Sequence, residues 1–169
     1  MSLLLCITGW EVAPWLERLR RLAPGRDIRA WPDIGDPADV TIAAVWKQPP
    51  GVLAALPNLR AIISLRLVRR ADKKGRVPAA EILVNTEAVR DQIRDMTKSL
   101  NIPQLIREGA VPYGMQSFDQ SLMNWYQKGV ISYDDALFAA TNPAEFSLRV
   151  QGIAGSSDTS WDTVKQEAT

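Results

Sequence analysis

Residues 56–84 read LPNLRAIISLRLVRRADKKGRVPAAEILV, and this stretch decides the predicted fold. The apolar run from Ala61 to Leu65 predicts a strand, and two further extended segments follow at Leu67 to Arg70 and Val77 to Val84. The polar connector at residues 71–76 contains Asp and Gly, which are typical of turns. The last two segments therefore predict a β-hairpin, and the sequence pattern changes at residue 66.

Residues 1–65 alternate short apolar runs with helical segments. Apolar residues at positions 12, 15, 16, 19 and 22 recur at helical spacing, and Pro24-Gly25 closes this predicted helix. Such alternation predicts a parallel sheet, and because this part supplies few helices we expect one sheet face to lack cover. The predicted strands are residues 3–8, 27–31, 40–46 and 61–65, and a short helix is predicted at residues 52–56.

Beyond the hairpin the pattern is helical. Ser117 with Gln120, and Ser132 with Asp135, have the spacing of helix N-terminal caps, and Asn142-Pro143 begins a last helix. The predicted class is α/β: an N-terminal parallel βα fragment resembling half of a flavodoxin-like fold, then a β-hairpin and short α-helices. The predicted helices are residues 86–95, 102–109, 117–129, 132–140 and 143 onward, with a flexible tail at residues 156–169.

The composition limits the chemistry available to the chain. Twenty basic and 19 acidic residues give a net charge of +1, so no global field favours nucleic acid or an anionic membrane. There is no histidine, which excludes every mechanism and metal site that depends on one within these residues. Cys6 is the single cysteine, and a buried, inert thiol is its expected state. With no apolar run approaching membrane-spanning length, we expect a cytoplasmic protein with no membrane span.

The first part of the chain resembles D-2-hydroxyacid dehydrogenases, most of all the glyoxylate/hydroxypyruvate reductase branch. The resemblance rests on Trp31-Pro32-Asp33, on residues 40–51 and on LPNLRAIISL at residues 56–65. It implies that Trp46 and Lys47 lie near a substrate, whereas the alternative is plain aromatic packing of Trp46. In that family a glycine-rich turn, whose backbone amides hold the substrate carboxylate, follows the position of Leu65, and here that turn is missing. The GxGxxG fingerprint that would hold NAD(P) is missing too.

Residues 66–169 resemble the C-terminal part of the type IV pilus retraction ATPases, the twitching-motility (PilT) family. The hairpin sequence at residues 67–86, the segment GMQSFDQSL at residues 114–122 and the run ATNP at residues 140–143 carry this resemblance. The chain contains no Gly-x-x-x-x-Gly-Lys-Ser/Thr string, so the phosphate cradle of that family is absent from these residues. The family forms hexameric rings, and the resemblance implies pilus motor subunits as partners.

One helix matches a retraction motif of that family. Its matching residues imply a surface that the assembled motor needs for retraction. The alternative is a solvated basic helix face whose arginines are paired with Glu87 and Asp91, with Val89 and Ile93 in the core. The motif, AIRNLIRE in the family, is matched by Ala88, Val89, Arg90, Ile93 and Arg94, whereas Asp91, Gln92 and Asp95 depart from it.

The sequence thus predicts a fusion or remnant joined near Leu65. Its parts are a dehydrogenase substrate-domain fragment (1–65), a pilus ATPase C-terminal part (66–155) and the tail (156–169). We expect an interaction protein that is not an enzyme and has no catalytic residue, metal or cofactor of its own. ATP with magnesium, or NAD(P), is expected only in complete members of the two families. The alternatives are ATP hydrolysis and NAD(P)-dependent hydroxyacid reduction, and nucleic acid is not an expected partner.

Overall fold

A computed structural model describes residues 1–94 and 101–153. The predicted tail at residues 156–169 and the predicted helix end at Asp95 lie outside these residues.

Five strands form one sheet in the order β2-β1-β3-β4-β5. The first four run parallel to their neighbours, and β5 is antiparallel to β4. The order β2-β1-β3-β4 is that of flavodoxin-like sheets, and the predicted α/β class is confirmed. The strands are β1 (Ser2–Ile7), β2 (Asp27–Ala30), β3 (Val40–Trp46), β4 (Ala61–Arg69) and β5 (Arg76–Val84).

Strand β4 corrects the prediction around residue 66. The sequence predicts two separate segments there, but Ala61–Arg69 is one continuous strand. No glycine or proline interrupts it, and Ile63, Leu65 and Leu67 alternate with more polar residues through the predicted join. The same strand pairs with β3 through its first half and with β5 along its whole length, so the sheet is continuous across Leu65. The division into parts at residues 65 and 66 remains a prediction.

The helices begin largely where the sequence predicts. Ser117 and Gln120 form a complete capping box, and Ser132 and Asn142 accept hydrogen bonds from the backbone N–H groups of Asp135 and Glu145. The predicted helix at 52–56 is only a 3-10 turn, Leu53–Ala55, and Pro37–Asp39 forms another. The helices are α1 (Ala13–Leu22), α2 (Glu87–Arg94), α3 (Ile102–Glu108), α4 (Ala110–Tyr113), α5 (Phe118–Gln127), α6 (Tyr133–Ala139) and α7 (Pro143–Val150).

The apolar cores divide close to residue 65, although the sheet does not. Two clusters cover the two faces of the parallel strands, and their members all lie between Leu4 and Ile63. Two other clusters, under the C-terminal helices, contain only residues from Val68 onward. What links the two parts is therefore mainly backbone: the β4–β5 ladder and the bond from the Asn85 N–H to the Arg60 carbonyl, 2.7 Å.

The hairpin strands are covered on one face. Val68, Val77 and Ala79 point into the cluster under α5, α6 and α7. The opposite face carries Ile63, Leu65 and Leu67 on β4, paired with Ile82, Ala80 and Pro78 on β5. Apart from Ile63, none of these belongs to an apolar cluster of the described residues. The expectation that one sheet face of residues 1–65 lacks cover is therefore wrong, because clusters lie on both faces of those strands. Among the described residues, the sheet face without a cluster of its own is this one, which we call the uncovered face of β4 and β5.

Candidate functional site

Helix α2 presents the retraction-motif match. Thr86 begins it, since its hydroxyl accepts a hydrogen bond from the Val89 N–H at 3.3 Å. Val89 is fully buried, in a cluster with Ile106 and Met115, and it anchors the helix. Ala88, Arg90 and Arg94 are exposed. Ile93 is 55% exposed, so its predicted core position is wrong: it shares a helix face with Val89, but it lies one turn further along, where the cluster around Val89 does not reach it.

The arginines of α2 are paired within the helix. The Arg90 guanidinium donates to Glu87 at 2.5 Å, and that of Arg94 lies 3.3 Å from Asp91 and 3.6 Å from Glu87. These are exposed ion pairs, which contribute about 0–1 kcal/mol each. Helix α2 therefore has a solvated basic face whose two arginines pair with two acidic residues. Leaving these pairs for a binding partner would cost each arginine little free energy.

Trp46 and Lys47 end strand β3, at the carboxyl edge where open α/β sheets bind ligands. Their surroundings are mainly apolar: Trp46 packs against the buried cluster of Leu5, Ile7 and Ala44, and its buried indole N–H has no acceptor among the described residues. Lys47 is exposed, at a positive φ of 48°, and its carbonyl accepts the Thr8 hydroxyl at 2.5 Å. These contacts favour a packing role for Trp46, and the proximity to a substrate remains a prediction.

Beyond Leu65 the chain continues as strand β4. Arg66, Leu67 and Val68 continue β4 and pair with Ala79, Pro78 and Val77. Backbone N–H groups held in a strand ladder cannot converge on a carboxylate as those of a glycine-rich turn can. This part of the sheet therefore does not form the substrate turn that the dehydrogenase resemblance calls for.

A polar cleft that the sequence did not predict lies between β5, α3, α5 and α7. Its volume is about 260 Å³. Arg66 reaches the nearby α6–α7 connection: its guanidinium lies 3.9 Å from the centre of the Phe118 ring and donates to the Ala139 carbonyl at 2.8 Å. The charged residues that line the cleft are Glu81, Arg107, Asp119, Glu145 and Arg149.

Most of these charged side chains form hydrogen bonds or ion pairs with other parts of the chain. Asp119 accepts the backbone N–H groups of Thr141 and Asn142 at 2.7 and 3.1 Å, and Arg149 pairs with Glu145 at 2.8 Å. Burial raises the pKa of Glu81, and a hydrogen bond from the Phe118 N–H opposes this rise in part. The charged side chains of the cleft therefore mainly stabilise the neighbouring loops and are not arranged as reactive groups. Sequence spacing could not reveal it, because residues from 81 to 149 meet only in the fold.

Among the described residues, no group of three or more side chains is placed to hold a metal ion. Within residues 1–94 and 101–153, no helix combines the length and the apolar character needed to cross a membrane.

Known proteins resemble the chain over parts of its length. No protein-family model matches it. It is 37% identical over 94 residues to the type IV pilus ATPase PilU of Pseudomonas aeruginosa, covering 56% of this chain and 24% of that protein. It is also 37% identical over 91 residues to a twitching motility protein of Neisseria gonorrhoeae, covering 54% of this chain and 24% of that protein. The chain thus spans about a quarter of the length of these relatives.

Two solved structures correspond to the two resemblances. A D-isomer specific 2-hydroxyacid dehydrogenase from Xanthobacter autotrophicus Py2 is 33% identical and is matched over 38% of this chain and 22% of its own, with a TM-score of 0.35. The pilus retraction motor PilT with bound ADP is 20% identical, over 85% of this chain and 41% of its own, with a TM-score of 0.42. Both resemblances inferred from the sequence are confirmed as local similarities. At these TM-scores neither structure defines the overall fold of this chain.

Proposed function

We propose that the chain is a cytoplasmic binding module that docks on subunits of a type IV pilus retraction motor and turns over no nucleotide of its own. The exposed arginine face of α2 carries this proposal. Arg90 and Arg94 stand on a helix that buried Val89 fixes to the C-terminal core, so a partner meets them in a defined position. The 37% identity to the type IV pilus ATPase PilU supports the choice of partner.

The energetics of the α2 face suit reversible docking. Each arginine exchanges an exposed intrahelical ion pair, worth about 0–1 kcal/mol, for a pair that a partner surface desolvates. The gain depends on complementary charge, and it falls as salt screens that charge over about 8–10 Å.

The test is binding of the full chain to purified PilU or PilT of Pseudomonas aeruginosa by biolayer interferometry at two salt concentrations. We expect saturable binding that Arg90→Glu with Arg94→Glu weakens at least about tenfold, or 1.4 kcal/mol. The matched control is Arg18→Glu with Arg21→Glu on α1, which changes the same charge on exposed positions of the other part.

Equal loss of binding in both double variants would show a nonspecific charge effect and contradict docking through α2. Absence of binding by the unaltered chain would contradict the proposed partner.

We further propose that the chain unites two parts of different origin. The clusters on either side of Leu65 share no member, and this separation supports the proposal. Reduction of a hydroxyacid with NAD(P) is the alternative function. It is disfavoured because β4 continues as a strand where that chemistry calls for a carboxylate-binding turn.

A further inference from the structure

The uncovered face of β4 and β5 contains an apolar hollow. It lies beside α1, where Ile7, Leu65 and Leu67 of the sheet meet three tryptophans. Trp10, at its rim, is 48% exposed. We name this surface the tryptophan hollow; its members are Ile7, Trp10, Trp15, Trp46, Leu65 and Leu67.

A cationic surface adjoins the hollow on the same sheet face. Arg69 follows Leu67 by two residues and is paired with Arg76 across the ladder. Two like charges placed opposite each other repel, and neither arginine forms an ion pair with another described residue. Lys73 and Gly75 of the hairpin turn line one shallow depression with them. An apolar group followed by an anion would match this face.

Helix α6 carries that combination on the other side of the sheet. Phe138 is 94% exposed, and Asp134 is exposed one turn before it. Residues four apart lie on one helix face, about 6 Å apart along the axis. From Leu67 to Arg69 the strand advances about 7 Å, two residues at about 3.3 Å each. The spacing of ring and carboxylate is therefore close to the spacing from Leu67, one member of the hollow, to Arg69.

The hollow is shallow, with a volume of about 20 Å³, so it can be covered by an aromatic ring but cannot enclose one. We propose that the ring of Phe138 from a second copy of this chain packs across the mouth of the tryptophan hollow, with Asp134 of that copy facing Arg69 and Arg76. Helix α6 packs on the covered face of β4, through Ala136 and Val68, whereas the hollow lies on the uncovered face. The two surfaces of one copy therefore cannot meet the same partner copy in a two-fold dimer. The contact is heterologous, and it builds head-to-tail chains or a closed ring.

Sedimentation velocity on the full chain tests this contact. The unaltered chain should form a concentration-dependent series of oligomers, and Phe138→Ser or Leu67→Lys should each reduce it to monomer. Phe138→Ser keeps the hollow, and Leu67→Lys keeps the phenylalanine. Their equimolar mixture should therefore form a dimer and nothing larger. This mixture also shows that both variants are folded.

Val111→Ser on α4 is the control, since it removes a side chain that is also largely exposed and should leave association unchanged. Asp134→Lys should weaken association at least about tenfold, and combining it with Arg69→Asp and Arg76→Asp should restore it. A monomer at every concentration, or a discrete dimer that both variants leave intact, would overturn the proposal. So would a variant mixture that stays monomeric, or binding to anionic phosphatidylserine vesicles without self-association.

Discussion

Replacing one buried leucine in each part of the chain should loosen that part and spare the other. Leu4 of β1 and Leu122 of α5 are both fully buried, and they belong to clusters that share no member. Leu4→Ala and Leu122→Ala remove the same atoms from equivalent degrees of burial. They therefore form a matched pair, each the control for the other.

The expected magnitude follows from the lost burial and the cavity left behind. A buried Leu→Ala substitution costs about 2–5 kcal/mol, against a total stability of roughly 5–15 kcal/mol. At 1.4 kcal/mol per tenfold change, amide exchange that requires opening of the damaged core should accelerate by about 30-fold to several thousand-fold.

Native-state hydrogen exchange read by mass spectrometry measures both cores in one sample. Leu122→Ala should accelerate exchange in α5 and α7 and leave β1 and β3 nearly unchanged, whereas Leu4→Ala should do the reverse. The β4–β5 ladder, which both parts share, should respond to both substitutions. If each substitution accelerates exchange equally throughout the described residues, the chain has one cooperative core and the reasoning from separate clusters is refuted.

Three further predictions concern activity, pH and a helix cap. The chain should not oxidise NADH or NADPH in the presence of glyoxylate or hydroxypyruvate, and a protein-dependent loss of reduced-cofactor absorbance in a single turnover would contradict this. Burial raises the folded-state pKa of Glu81 above its usual 4.5, so the ionised side chain costs stability once the pH rises from 4.5 through that raised pKa. Glu81→Gln removes this charge and should therefore raise the melting temperature at neutral pH. The gain should vanish near pH 4, and Glu17→Gln, which makes the same charge change at an exposed position, is the control. Ser117→Ala should cost about 1 kcal/mol in urea unfolding, because it removes the side-chain acceptor of the α5 capping box, and an unchanged urea midpoint would contradict that role.

Local signals in the sequence predicted most elements of the fold. Helical spacing of apolar residues located α1, and the cap residues Ser117, Ser132 and Asn142 located the starts of three more helices. These features depend on neighbours within a few positions, so one sequence suffices to recognise them.

What the sequence did not predict depends on distant contacts. The alternation of residues 61–69 permits a single strand, but the pairing with β5 along its whole length, which local sequence does not show, is what makes β4 continuous. The exposure of Ile93 and the convergence of Glu81, Asp119 and Arg149 on one cleft likewise depend on packing between elements far apart in sequence. The sequence did not predict the hollow, because its lining brings Trp10 and Trp15 together with Leu65 and Leu67 from distant positions.

The central claim is that the chain binds a pilus motor but does not itself bind or hydrolyse ATP, and titration calorimetry with magnesium-ATP tests it most directly. The 169 residues contain no phosphate-cradling Gly-x-x-x-x-Gly-Lys-Ser/Thr string, and Lys73, Lys74 and Gly75 form the exposed turn between β4 and β5. The account predicts no saturable heat up to millimolar ATP and no phosphate release above background. Micromolar affinity for magnesium-ATP, or protein-dependent phosphate release, would contradict it.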